Sequence, residues 1–79
     1  METTREKLLK VMGLVRPGAD FESCPDLIKE GVLDSLMMVM LTMEIESSFG
    51  VKISPLDIVP DNFRTVDSIC SLIDRLMSK

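Results

Sequence analysis

Ser35 is the side chain in this sequence that is best placed to do chemistry. It lies in the stretch Gly-Val-Leu-Asp-Ser-Leu, residues 31–36, between a long polar segment and a long apolar segment rich in methionine. Asp34 or Ser35 is a natural N-cap, so the pattern predicts that the serine hydroxyl lies at the positive end of a helix. Such a position stabilises a permanent negative charge. The serine is therefore suited to carry a phosphodiester.

Other kinds of site chemistry are poorly represented in the chain. There is no histidine, which removes the commonest general base and metal ligand. Two isolated cysteines do not form a zinc site, and the sequence has neither a glycine-rich phosphate loop nor a calcium-binding spacing of acids. We expect Cys24, in a polar loop, and Cys70, on an apolar helical stripe, to be free thiols. The expectation is a protein that is not an enzyme and holds no metal.

The composition predicts one small helical domain covering residues 1–79. Three phenylalanines are the only aromatic residues, so aliphatic side chains and seven methionines must fill the core, which favours helices packed on helices. The net charge of −4 disfavours nucleic acid and anionic membranes as partners. No apolar run is long enough to cross a bilayer and no signal peptide is evident, so we expect a cytoplasmic protein without membrane insertion.

Capping residues and helix breakers divide the chain into four predicted helices. Thr3 and Glu6 fit a capping box for a first helix that ends near Val15, before Pro17 and Gly18. The second helix is predicted from about Ser35 to Phe49, with Gly50 as its stop. Ser54 and Pro55 begin a short third helix, which Pro60 ends, and Thr65 caps the last one. The predicted fold is an all-α four-helix bundle, with three long helices and one short one.

The long connection over residues 16–34 is expected to contain short structure of its own. The residues Ser-Cys-Pro-Asp at positions 23–26 predict a cap and one helical turn through Leu27 and Ile28. Gly31 suits a left-handed backbone position before the second helix. Val51–Ile53 is predicted to be an extended connector that buries Val51 or Ile53. The expected anchors of these connections in the core are Phe21, Leu27, Ile28, Leu33 and Phe63.

The second helix has apolar residues on two sides, and the last helix has them on one. One stripe of the second helix is a complete core face, formed by Met38, Leu41, Thr42, Ile45 and Phe49. The other stripe, which we call the methionine face, consists of Leu36, Val39, Met40, Met43, Glu46 and Ser47. The sequence leaves open whether Met40 and Met43 are core residues or are offered to a partner. The predicted apolar stripe of the last helix is Val66, Ile69, Cys70, Ile73, Leu76 and Met77.

Three segments together resemble the acyl and peptidyl carrier protein family. Residues 27–36, Leu-Ile-Lys-Glu-Gly-Val-Leu-Asp-Ser-Leu, resemble the modification motif of that family. Residues 44–53, Glu-Ile-Glu-Ser-Ser-Phe-Gly-Val-Lys-Ile, resemble the end of its second helix, and residues 62–69, Asn-Phe-Arg-Thr-Val-Asp-Ser-Ile, the entry to its last helix. The resemblance covers nearly the whole chain, with the segments in order and at the expected spacing.

The resemblance implies that Ser35 receives 4'-phosphopantetheine from coenzyme A, in a reaction carried out by a phosphopantetheinyl transferase. Asp34 and Leu36 would flank the attachment point. Acyl or aminoacyl groups would then be carried as thioesters to adenylating, acyl-transfer or synthase enzymes by a freestanding, monomeric carrier. By the same resemblance, the residues that dock these partners would be Leu36, Val39, Met40, Met43, Glu46, Ser47 and Ile53.

The methionine face departs from the strongly acidic second helix that fatty-acid carriers generally present. It carries one acid, Glu46, and two methionines, which is more similar to peptidyl or D-alanyl carrier proteins. If exposed, it would form an adaptable hydrophobic docking surface. Fatty-acid, polyketide and aminoacyl or D-alanyl pathways all stay open. The alternative from another class is a small helical adaptor that binds through the methionine face and is never modified.

Overall fold

The computed structural model describes residues 3–23 and 25–78, so the prediction for Cys24 lies outside the described residues. Over the described part of the chain there are three α-helices, two short 3-10 turns and no strand. The predicted all-α class is therefore confirmed. The helices are α1 (Thr4–Val15), α2 (Ser35–Phe49) and α3 (Val66–Met77), and the 3-10 turns are Pro55–Asp57 and Pro60–Asn62.

Local capping fixes where the three helices begin and end. The Thr3 hydroxyl accepts a hydrogen bond from the backbone N–H of Glu6 at 3.1 Å, which begins α1 as predicted. Thr65 and Ser68 form a reciprocal capping box at the start of α3, in which each hydroxyl accepts the other residue's N–H. Gly50 ends α2 in a left-handed conformation, with φ of 66°, that favours glycine.

The predicted short third helix is present only as a one-turn 3-10 helix, followed by a second 3-10 turn, so the count of four helices is not confirmed. Ser54 does cap the first turn, since its hydroxyl accepts the Leu56 N–H at 3.2 Å. The turn ends after Asp57, and Val59 is extended, with φ of −126° and ψ of 151°. A residue before proline disfavours the helical conformation, and Pro60 has no N–H to continue a ladder. Residues 3–23 and 25–78 thus form three α-helices and two 3-10 turns.

The core lies where α1 packs against both α2 and α3. The predicted core face of α2 is buried at Met38, Leu41, Thr42 and Ile45, and Phe49 is half-buried at its edge. Phe21, Leu27, Leu33 and Phe63 are buried and Ile28 is partly buried, so the connections are anchored as predicted. The remaining buried apolar residues are Leu8, Val11, Met12, Ile53, Val66, Ile69, Leu72 and Ile73.

The apolar stripe of α3 differs from the prediction at two residues. Leu72 is buried, although it was not assigned to the stripe, whereas Met77 is 54% exposed because it lies in the last turn, at the edge of the core. Cys70 is only half-buried and packs against the rim of the core. Burial raises the pKa of its thiol, which disfavours the reactive thiolate at neutral pH.

Candidate modification site at the start of the second helix

Asp34 and Ser35 have different roles at the start of α2. Asp34 is the N-cap: its Oδ1 accepts the Met37 N–H at 2.8 Å, and its carbonyl accepts the Met38 N–H at 2.9 Å. Ser35 is the first residue of the helix and is exposed. Its hydroxyl forms no hydrogen bond with any residue that the structure describes. Because Asp34 does the capping, the serine hydroxyl stays available.

Backbone N–H groups make this helix end a favourable place for an anion. The first N–H groups of a helix have no partner within the helix. Asp34 takes that of Met37, while those of Ser35 and Leu36 have no partner among the described residues. No acidic residue lies in the first turn of α2 itself. Unpaired N–H groups and the helix dipole together favour an anion at such a helix end.

A single turn over residues 26–30 of the long connection lies shortly before α2. Asp26 Oδ1 accepts the backbone N–H groups of Ile28 at 3.0 Å and Lys29 at 2.9 Å, and the Asp26 carbonyl accepts that of Glu30 at 2.9 Å. The predicted turn through Leu27 and Ile28 is present, but its cap is Asp26 and not Ser23, which the sequence pattern had indicated. Gly31 then takes a left-handed conformation with φ of 77°, as predicted.

Three arginines from different parts of the chain hold this connection in place. Arg5 of α1 pairs with Glu22 at 3.2 Å and also with Asp67 at the start of α3. Arg64 pairs with Asp26 at 3.0 Å and with Asp61 at 2.9 Å. Arg16, directly after α1, donates instead to the carbonyls of Gly31 and Val32. These partners raise the pKa values of Arg5 and Arg64, so both groups are fully charged at neutral pH.

The contacts of Asp26 predict a dependence of stability on pH. Its hydrogen bond from the Lys29 N–H, assisted by Arg64, lowers the pKa of the Asp26 carboxyl below its ordinary value of 3.8. A lowered folded-state pKa contributes stability above the unfolded-state pKa, and this contribution is lost as the pH falls through the folded-state pKa. We expect the wild type to be more stable than Asp26→Asn at about pH 7 and to lose this advantage progressively as the pH falls below the ordinary pKa of the carboxyl, 3.8. Urea unfolding of both proteins at several pH values measures the difference in their free energies of unfolding. A difference that does not change with pH would contradict the prediction.

The structure answers the question that the sequence left open about the methionine face. Met40 is 43% exposed and Met43 is 63% exposed, and Leu36, Val39 and Ser47 are exposed as well. These side chains follow directly from Ser35 along the same helix. An apolar helix face next to an available hydroxyl is the kind of surface that interaction partners use.

Two of the residues predicted for docking have internal roles. Ile53 is 5% exposed and belongs to the core, so the extended connector buries it as its spacing allows and it is not a surface residue. The Glu46 carboxylate is half-buried and accepts the Ile53 backbone N–H at 2.8 Å. Glu46 therefore ties the connector to the end of α2, and the exposed part of the methionine face carries little negative charge.

Two features of the structure were not identified from the sequence. Arg16 contacts the loop that leads to Ser35, although only its place between the end of a helix and Pro17 distinguishes it in the sequence. Leu56 and Val59 are exposed apolar residues of the 3-10 region. The sequence feature that could have identified Leu56 and Val59 as exposed is that both are apolar residues in a polar turn, outside any predicted core stripe.

The remaining surface offers no second centre of chemistry among the described residues. A groove of about 490 Å³ lies at the other end of α2 and is lined by residues that include Phe49, Val51, Lys52 and Leu76. It contains none of the residues predicted for the site. Within residues 3–23 and 25–78, no group of three or more potential ligands could hold a metal ion. In the same part of the chain, no helix has the length and apolar character needed to span a membrane.

The fold and the site together define a small helical domain that displays one serine hydroxyl at a helix N-terminus. The model of a protein family described as phosphopantetheine attachment site matches residues 5–73. The chain therefore belongs to this family of phosphopantetheine-binding carrier proteins, and its cofactor is covalently bound 4'-phosphopantetheine.

Curated relatives of this chain are named as carriers. D-alanyl carrier proteins from Lactococcus lactis subsp. cremoris, strains MG1363 and SK11, and subsp. lactis, strain IL1403, are each 31% identical to it over 48 residues. The match covers 61% of this chain and 61% of each relative, so less than two thirds of the relatives' length is matched. No solved structure matches the chain significantly.

The residues at the start of α2 fit the cofactor of this family. A phosphodiester needs an accessible hydroxyl, and Ser35 is exposed. It also needs donors for the phosphate oxygens, and the N–H groups of Ser35 and Leu36 have no partner among the described residues. The chain thus offers an accessible hydroxyl and unpaired N–H groups suited to an anion at one place.

Proposed function

We propose that Ser35 is the residue to which 4'-phosphopantetheine is attached. The observation that carries the proposal is the free, exposed hydroxyl of Ser35 as the first residue of α2, beside a carboxylate that already caps the helix. The other serines at helix or turn starts are engaged, because Ser54 accepts the Leu56 N–H and Ser68 completes a capping box. Exposed Ser47 lies near the end of α2, away from the positive helix end.

The chain acts as a carrier and leaves catalysis to its partners. When bound, the cofactor supplies a terminal thiol, on which acyl or aminoacyl groups are held as thioesters. The domain holds the attachment point on a rigid helix and supplies the anion-binding N–H groups. A cargo tethered in this way reaches partner active sites at a raised effective concentration. The partners are a phosphopantetheinyl transferase and adenylating or acyl-transfer enzymes.

The methionine face supports an amino acid as the cargo class, with D-alanine as the leading example. Its exposed side chains Leu36, Val39, Met40 and Met43 are uncharged, and its one acid is engaged by Ile53. A partner with an apolar docking patch fits this face better than one with a strongly basic patch. The relatives that match 61% of this chain are named D-alanyl carrier proteins. The alternative of an unmodified adaptor is not favoured, because the family model is that of an attachment site.

Mass spectrometry of modified protein tests the assignment of Ser35. The apo protein, incubated with a phosphopantetheinyl transferase and coenzyme A, should gain the mass of one phosphopantetheinyl group. Ser35→Ala should gain none, because it lacks the attacking oxygen. Ser71→Ala is the matched control, since it removes an exposed serine hydroxyl from α3, outside the methionine face, and should be modified like the wild type. A mass gain in Ser35→Ala, or none in the wild type, would refute the assignment.

A further inference from the structure

Arg16 differs from the other two arginines that hold the long connection. Arg5 and Arg64 each contact two carboxylates, so their charges are balanced locally. Arg16 donates from Nη1 to the carbonyl oxygens of Gly31 at 3.1 Å and Val32 at 2.9 Å. It pairs with no carboxylate among the described residues, so its positive charge is not neutralised there.

The position of Arg16 connects the end of α1 to the start of α2. Its backbone N–H caps α1 by donating to the Met12 carbonyl at 2.9 Å. Its Nη1 lies 3.9 Å from the sulfur of Met37, in the first turn of α2. The guanidinium therefore contacts both the last part of the connection and the helix that begins with Ser35.

The carbonyls that Arg16 binds lie at a point where the chain changes direction. Gly31 has a left-handed backbone, and Val32 is half-buried before the buried anchor Leu33. The Leu33 N–H returns to the Leu27 carbonyl at 2.9 Å, which closes the turn. Without Arg16, the Val32 carbonyl would lose its donor in a partly buried place, which is unfavourable.

We propose that Arg16 is a positioning residue for the modification of Ser35. By holding the Gly31 and Val32 carbonyls, it fixes the path by which the chain enters α2, and with it the direction of the serine hydroxyl. Its unpaired charge beside the first turn of α2 adds to the positive potential that a phosphate meets there. The proposal rests on the assignment of Ser35 as the modified residue.

Steady-state modification kinetics separate positioning from a purely structural role. Arg16→Met keeps a long side chain but removes the donors and the charge, and we expect it to lower kcat for pantetheinylation about tenfold, because small displacements of a reacting group are costly. KM should change less than twofold, since the docking face is untouched. Arg16→Lys keeps the charge and should recover part of the loss.

Arg64→Met is the matched control, because it removes an arginine that holds the same connection at Asp26, farther along the chain from Ser35 than Gly31 and Val32. We expect it to lower stability in urea while leaving kcat for modification unchanged. If Arg16→Met does not fold, Arg16→Lys replaces it in this comparison. Arg16→Lys should then show a loss of kcat smaller than tenfold, whereas Arg64→Met should show no loss.

Amide hydrogen exchange gives a second measurement that needs no transferase. Arg16→Met should exchange faster than the wild type at residues 31–37, and by clearly more than Arg64→Met does. An unchanged kcat in Arg16→Met, an equal loss in Arg64→Met, or unchanged exchange at residues 31–37 would each overturn the role of Arg16. Absence of modification in the wild type would instead refute the assignment of Ser35, so the two failures are distinguishable.

Discussion

Met38→Glu is expected to unfold the domain, whereas Met40→Glu, on the same helix, is expected to leave it folded. Met38 is 8% exposed and packs in the core, so the new carboxylate would be buried without a partner. A carboxylate buried without a partner takes up a proton instead of staying charged, and burial of the resulting unpaired polar group still costs several kcal/mol. A domain of this size has a total stability of only about 4–12 kcal/mol.

Met40→Glu has a different outcome because the Met40 side chain is substantially exposed. Glutamate and methionine have nearly equal helix propensities, so the change should alter stability by less than about 0.5 kcal/mol. Helical circular dichroism and urea unfolding of the two variants measure the contrast, with Met38→Leu as the control for loss of the thioether alone. Wild-type stability in Met38→Glu, or a loss of several kcal/mol in Met40→Glu, would contradict the assigned faces of α2.

Met43→Glu is expected to reduce transfer of cargo onto the modified protein by about 10- to 100-fold in kcat/KM, which corresponds to the loss of one well-packed apolar contact at an interface. Met43 is 63% exposed on the methionine face, so the fold should be unaffected while an apolar partner patch would have to accept a charge. The measurement is thioester formation by an enzyme that adenylates D-alanine, with the modified wild type as the reference.

Met77→Glu is the control for this experiment, because Met77 is also an exposed methionine, in the last turn of α3, and lies outside the methionine face. It should be loaded like the wild type. Equal loading of Met43→Glu and the wild type would remove the methionine face from partner docking. If the wild type accepts an acyl group but not D-alanine, the proposed cargo is wrong, and the docking comparison can be repeated with the enzyme that supplies that acyl group.

The features that the sequence predicted well are those with local causes. Thr3, Thr65 and Gly50 act through residues within four positions of themselves, so capping and stop signals were sufficient to find the helix ends. The start of α2 was predicted correctly, except that the sequence left open whether Asp34 or Ser35 is the N-cap. The structure assigns the cap to Asp34 because only its side chain accepts a hydrogen bond from the Met37 N–H.

The features that the sequence did not fix depend on contacts between distant residues. A residue pattern alone cannot decide whether Met40 faces a second packing partner, because that depends on where α1 and α3 lie. Ile53 was predicted both as a buried residue of the connector and as a docking residue, and the structure places it in the core. The contact of Arg16 with Val32 spans 16 positions and has no periodic signal. Ser54 begins the short third helix as predicted, but Pro60 follows so closely that the chain forms two 3-10 turns there and no α-helix.

The exposure of the methionines also determines how the protein responds to oxidants. Peroxide transfers an oxygen atom to an accessible thioether and leaves water, which gives a polar sulfoxide. Met40 and Met43 are open to this reaction, whereas Met12 and Met38 are at most 8% exposed and are shielded by the core. Mild oxidation should therefore make the methionine face polar while the helices stay packed. Reductive repair of these sulfoxides would restore the apolar surface without any refolding.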